Sequence, residues 1–99
     1  MNFDKVDGFD WDSGNINKNW ERPTVLYTEC EQTFFNIPVY YQIDLKHSRT
    51  EVRFVLYGKT NRGRLLTIIF TLRQNKIRVI SARDQNKTER FFYLSKNYE

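Results

Sequence analysis

The stretch Arg64-Leu65-Leu66-Thr67-Ile68-Ile69-Phe70-Thr71-Leu72, the short link Arg73-Gln74-Asn75, and the return Lys76-Ile77-Arg78-Val79-Ile80-Ser81-Ala82-Arg83 decide the fold. The first run is the most apolar in the chain and rich in β-branched residues, so it reads as a central strand over Arg64–Leu72. The three polar residues make a turn, and Lys76–Ser81 is a second strand. Arginines therefore fall on a strand and immediately after it. Guanidinium groups held on a rigid sheet suit a polyanion.

Upstream, Val52, Phe54 and Leu56 alternate with Arg53, Val55 and Tyr57, the period of a strand. Gly58 and Gly63 bracket the loop that joins it to the central one. Val39-Tyr40-Tyr41-Gln42-Ile43-Asp44 is the first strand of the series. Before it, Thr24 caps a helix that runs to Thr33 or Phe35, with Leu26, Tyr27, Cys30 and Phe34 as its inward stripe. An earlier helix is expected over Gly14–Glu21, capped by Asp12 or Ser13, with Ile16 and Trp20 one turn apart. Pro23 pushes Arg22 out of helical backbone and ends it. Gly8–Asp12 reads as a very short strand. Downstream, Asp84–Tyr93 is a third helix, with Phe91 or Phe92 packing back.

The order gives an α+β fold in one domain, residues 1–99. Two N-terminal helices and a C-terminal helix pack on one face of a four-stranded, mainly antiparallel sheet. The other face is left partly open. If Arg53, Arg78 and Arg83 share that face, it is a basic surface suited to RNA.

Charge supports the same surface. Residues 1–51 carry 5 Lys/Arg against 9 Asp/Glu, and residues 52–99 carry 11 against 3, so the total of +4 hides halves of −4 and +8. Such a field draws RNA, DNA or an acidic partner to the basic half, less so as salt rises. At 99 residues the chain buries about two-thirds of its unfolded surface. Eight Phe, six Tyr and two Trp supply the large burial per side chain that this requires. The lone Cys30 excludes an internal disulfide framework and fits a reducing compartment. No apolar run approaches a membrane span, and a cytoplasmic location is expected.

Most site chemistries are excluded. Gly58-Lys59-Thr60 ends like a phosphate-binding loop, but that loop needs a glycine at position 53, which is Arg. One His and one Cys leave no metal site and no cofactor in view. Cys30 is read as a small helix-face residue rather than a nucleophile. His47 lies in a polar connection, and its titration near neutral pH makes it a candidate proton carrier. Glu51 and Arg53 share one strand face, which predicts a carboxylate beside a guanidinium. RNA cleavage needs a base for the 2′-hydroxyl, a cation for the phosphorane and an acid for the leaving 5′-oxygen. A single histidine excludes a two-histidine scheme. Arginines can supply the electrostatic part, and the base falls to Glu51, His47 or a lysine. Tyr57 and Tyr93 are candidates for stacking on a splayed base.

Trp11-Asp12, Asn19, Val25, Phe34-Phe35, the His47/Glu51/Arg53 group, Gly58-Lys59-Thr60, Gly63-Arg64-Leu65-Leu66, Ile77 to Arg83, Glu89-Arg90 and Tyr93 together resemble the BrnT toxin family. The resemblance covers residues 9–93. Its most specific parts are Arg-Leu-Leu at 64–66 and Ile-Ser-Ala-Arg at 80–83. It implies a RelE-like ribonuclease fold and the toxin half of a type II toxin–antitoxin pair. Such toxins cleave mRNA and halt translation. A small cognate antitoxin, BrnA-like and DNA-binding, neutralises them, so DNA is reached only through that partner. By motif position the resemblance puts Arg64, Arg78 and Arg83 in the catalytic site, with Glu51 and Arg53 as neighbours, and Glu51 and His47 join the three arginines as catalytic candidates. Arg53, Lys59, Arg62, Arg90 and Tyr93 are the candidate RNA-binding residues.

Two positions depart from the family pattern. Arg22-Pro23-Thr24 stands where the family commonly has Lys-His-Gly, and Asn15 where it often has lysine. Each change removes a titrating or cationic group. A second reading therefore stays open: a binding module of the same fold, for RNA or for the antitoxin, with the chemistry lost.

Overall fold

The structure is a computed structural model, and it describes residues 5–16 and 24–96, with only the backbone of His47. Four strands, β1 (Tyr40–Ile43), β2 (Arg53–Lys59), β3 (Leu65–Arg73) and β4 (Lys76–Asp84), form one antiparallel sheet in the order β1-β2-β3-β4. Helix α1 (Tyr27–Thr33) precedes the sheet and α2 (Lys87–Lys96) follows it. The meander and the C-terminal helix agree with the sequence reading.

The β3–β4 hairpin turns on Gln74 and Asn75, both with positive φ (53° and 65°). That pairing matches the right-handed twist of the flanking strands, as two-residue hairpins require. At the other end Gly63 (φ 84°) closes the β2–β3 loop. Gly58 is needed for close approach rather than for a turn. A Cβ there would lie 2.9 Å from the carbonyl of Thr33, so its bare backbone lets the end of α1 sit on β2.

One face of the sheet carries Phe54, Leu56, Leu66, Ile68, Phe70, Ile77, Val79 and Ala82, all buried, and α1 covers it with Val25, Cys30 and Phe34. Phe34 meets Phe70 edge-on at 5.1 Å and Phe9 at 5.4 Å, while Phe54 stacks on Phe70 at 5.3 Å. Each fully buried side chain of this size stabilises the fold by about 2 kcal/mol. Phe9 belongs to a segment along the free edge of β4, bridged in parallel to Ile77. Of the short strand read at Gly8–Asp12 the structure shows this one bridge, at Phe9.

Several expectations change. Among the described residues there are two α-helices, not three: Ser13–Ile16 form a turn, and the rest of the helix read at Gly14–Glu21 lies outside the described residues, as does Pro23. The helix read from Thr24 begins at Tyr27, because the side chain of Glu29 accepts from the Leu26 N–H (3.0 Å) and takes over the capping. Its inward side is Cys30, Thr33 and Phe34, with Leu26 and Tyr27 exposed. Finally, the helices do not share a sheet face. Helix α2 packs on the face opposite α1, through Tyr93 and Phe92 against Tyr40 and Phe92 against Tyr57. Strand β4 also runs to Asp84, so α2 starts at Lys87 rather than Asp84.

Candidate active site on the α2 face

A regular strand alternates its side chains, so Arg78 and Arg83, five positions apart, would point to opposite faces. The structure brings them to one face by a bulge. Ser81 pairs with Ile69 but Val79 with Phe70, which leaves Ile80 as the extra residue. Thr71 then faces Arg78 and Thr67 faces Arg83, on the same side of β3. On β2 that side carries Arg53 opposite Thr71 and Tyr57 opposite Thr67. The α2 face therefore holds two cross-strand rows, Arg53–Thr71–Arg78 and Tyr57–Thr67–Arg83, with Val55–Ile69–Ser81 between them.

Arg83 is held by α2. Both its terminal nitrogens donate to Glu89, at 2.7 and 2.9 Å, and its side chain stays 40 % exposed. Glu89 Oε1 also accepts from Thr67 Oγ1 (2.9 Å) and from the Asn86 N–H (2.9 Å), and Asn86 Oδ1 accepts from the Glu89 N–H (2.8 Å). This reciprocal pair is the N-terminal cap of α2. Burial pushes the Glu89 carboxyl up, but the hydrogen bonds from Arg83, Asn86 and Thr67 outweigh it and hold the group below the usual carboxylate range. The tyrosine in this row, Tyr57, is shifted upward, first by burial and then by the charge of Glu89.

At the other end Arg78 donates to both oxygens of Asp12 at 3.0 Å and lies 3.4 Å from Asp10, with only 14 % of its side chain exposed. Asp12 is held below its ordinary range by Arg78 and by the Gly14 N–H. Glu51 receives two hydrogen bonds from Arg73, at 3.0 and 3.3 Å, rather than pairing with Arg53 as the shared strand face predicted. The bond from Arg73 lowers its pKa, and the charges of Arg53 and Arg78 act in the same direction. Glu51 lies just before β2, so strand alternation does not govern it. Arg53 makes no side-chain ion pair among the described residues.

The remaining candidates separate. Arg64 stands on the α1 face, where it clasps Asp84 (2.7 Å), Glu29 (3.1 Å) and the carbonyl of Thr24 (3.0 Å), and so ties α1 to β4. It is not brought together with Arg78 and Arg83. Tyr93 is fully buried and its hydroxyl donates to the carbonyl of Pro38 (2.6 Å), so it has no face to offer a base and serves as core. Burial pushes its phenol up to about 12. Lys59 and Arg62 lie at and beyond the far end of β2, and Arg90 on α2 donates to the carbonyl of Gln85 (2.7 Å). His47 closes a single 3₁₀ turn, Leu45–His47, and its side chain lies outside what is described.

The charge asymmetry is partly consumed inside the molecule. Asp12, Glu29 and Glu51 of the acidic half meet Arg78, Arg64 and Arg73 of the basic half. Asn15, one of the two departures, is buried: its amide donates to the carbonyls of Asp10 and Val79 and its oxygen accepts from the Asp12 N–H. It stitches the N-terminal segment to β4, and a lysine there would bury an ammonium group. Sequence reasoning does not reach Glu89, Arg73 or the two aspartates as site residues. Only the Asn86-x-x-Glu89 cap had a local signal.

Among the described residues no three His, Cys, Asp or Glu side chains converge as metal ligands, and no helix is long and apolar enough to cross a membrane. A family model described as a ribonuclease toxin, BrnT, of type II toxin–antitoxin systems matches residues 11–89. No curated protein matches the chain.

Proposed function

Since the chain belongs to the BrnT family of type II toxin–antitoxin ribonuclease toxins, we propose that it cleaves mRNA and so inhibits translation, by metal-independent general acid–base and electrostatic catalysis on the α2 face. The observation that carries this reading is the Ile80 bulge, which gathers Arg53, Arg78 and Arg83 on one side of the sheet. Arg83 is the cation for the phosphorane. It is the arginine of the two on β4 with substantial exposure, and Glu89 fixes its fork in place. Tyr57, half-buried beside it, offers a ring edge to a neighbouring base. Glu89 is saturated by four donors and orients Arg83 rather than moving a proton. Glu51, held by Arg73, and His47, in the turn before β2, both stand at the Arg53 end of the face, so neither is assigned as the base for a cut at Arg83.

A cognate antitoxin of the BrnA-like, DNA-binding kind neutralises the toxin in this account, and the pair acts in the cytoplasm. The face opposite the arginines supports that partnership. Beyond α1 it leaves an apolar groove of about 450 Å³ walled by Phe9, Phe34, Phe35, Ile37, Val39 and Tyr41. Phe35 and Ile37 stand exposed at its mouth. The fold belongs, in this reading, with the RelE-like ribonucleases.

The test is cleavage of a defined mRNA by purified protein in excess chelator. The reading expects products that form in chelator and vanish when the 2′-hydroxyl at the cut is methylated. An RNA that stays intact, with or without added divalent metal, removes the ribonuclease function and leaves the binding-module reading.

A further inference from the structure

We propose that the pocket between Arg49 and Arg53 holds a non-scissile phosphate of the RNA, giving the substrate a second anchor on the sheet away from Arg83. The inference rests on the RNA reading above and adds a site to it.

Arginines 73, 78 and 83 of this face are each engaged by a carboxylate. Arg49 and Arg53 differ: among the described residues neither side chain has a hydrogen bond or ion pair. They line one pocket of about 390 Å³ with Thr50 and Glu51. The carboxylate on that wall is hydrogen-bonded to Arg73, so with Arg49 and Arg53 three cations face one anion and the pocket stays net positive.

The loop that carries them is braced. Ser48 Oγ accepts from the Arg53 N–H (2.9 Å) and donates to the carbonyl of Asp44 (2.7 Å), while the Asp44 N–H donates to the carbonyl of Arg53 (2.7 Å). The backbone of Arg53 is thus tied on both sides, and Arg49 directly follows the bracing Ser48. Two guanidinium forks lining one pocket, one of them on a braced strand end, fit the tetrahedral oxygens of a phosphate better than a flat base edge.

Position decides which phosphate. Arg53 and Arg83 are separated by four residues along the strands and by two strands across the sheet. At roughly 3.3 Å per residue and roughly 4.8 Å per strand, that is about 16 Å. A phosphate at Arg53 is therefore more than one nucleotide from one at Arg83. Binding there reads backbone, not sequence, and gives longer RNAs an advantage over a minimal dinucleotide.

The test is a titration of a short single-stranded RNA, fully 2′-O-methylated so that it is not cut, across a salt series. Parent protein is compared with the Arg49→Ala/Arg53→Ala and Arg49→Lys/Arg53→Lys variants, each checked by thermal melting. The alanine variant should bind about tenfold more weakly at low salt, with a salt slope shallower by about 0.7 for each phosphate no longer neutralised. The lysine variant should regain the slope. If the double alanine variant fails to fold, Arg49→Ala alone, an exposed loop change, must show part of the effect. A folded variant with the parent's affinity and slope overturns the inference. So does a variant that keeps RNA binding but loses the antitoxin, since the pocket would then take an acidic protein segment. A parent that binds no RNA removes the ribonuclease reading itself, and this site with it.

Discussion

Glu89 accepts both terminal nitrogens of Arg83 while the same carboxylate closes the N-terminal cap of α2 through Asn86. The orientation of the arginine and the start of the helix are thus one structural event. Glu89→Ala should disturb both: cleavage falls about tenfold or more as the fork loses its partner, and stability falls by about 1 kcal/mol with the cap. Cleavage rates and thermal melts of the variant check this, and a variant that melts lower yet cleaves at the parent rate would separate the two roles.

Acid should weaken the fold through three carboxylates. Asp12, Glu51 and Glu89 are all held below their ordinary range, by Arg78, by Arg73, and by Arg83 with Asn86 and Thr67 against an opposing burial. A folded pKa below the unfolded one gives stability that is present above the unfolded value and lost as pH falls through the folded one. The melting temperature is therefore expected to change little between about pH 7 and 5 and to drop below about pH 4. Melts across that range are the check, and an unchanged melt at about pH 3 would contradict it.

Cys30 should be chemically silent. Burial, then the charges of Glu29 and Glu31, pushes its thiol up to about 12, and the side chain is fully covered in the core under α1. Native protein is expected not to react with a thiol reagent near neutral pH, and unfolded protein to react once per chain. Fast labelling of the native state would mean that α1 opens from the sheet.

The sheet was legible because apolar runs alternate with polar turns from Val39 to Ser81, and strand chemistry is local. The Ile80 bulge was not. Nothing in Val79-Ile80-Ser81 marks an extra residue, since bulges are settled by pairing with β3. The face of α2 was also hidden: Phe91, Phe92 and Tyr93 are consecutive aromatics, and only the sheet decides that Tyr93 is core while Phe91 stays outside. Arginines were countable as a basic surface, but Asp10, Asp12, Glu29 and Asp84 reach them only through the tertiary fold. Arg64 shows the result, a motif residue that the fold uses as a clasp between α1 and β4.

The apolar groove gives an independent prediction about the partner. Phe35→Asp and Ile37→Asp place charge where both side chains are exposed, so stability should change by no more than about 0.5 kcal/mol. Capture of the cognate antitoxin should be lost in pull-down. Full capture by both variants would move the antitoxin to another surface.

The most direct measurement is growth after inducible expression of the native chain beside Arg83→Ala, with total RNA from both cultures separated on a gel and folding of both proteins checked by melting. The account predicts arrest and fragmented RNA with the native chain, and growth with intact RNA with Arg83→Ala. Equal arrest by a folded Arg83→Ala protein, or unimpaired growth with intact RNA under a folded native chain, would contradict it.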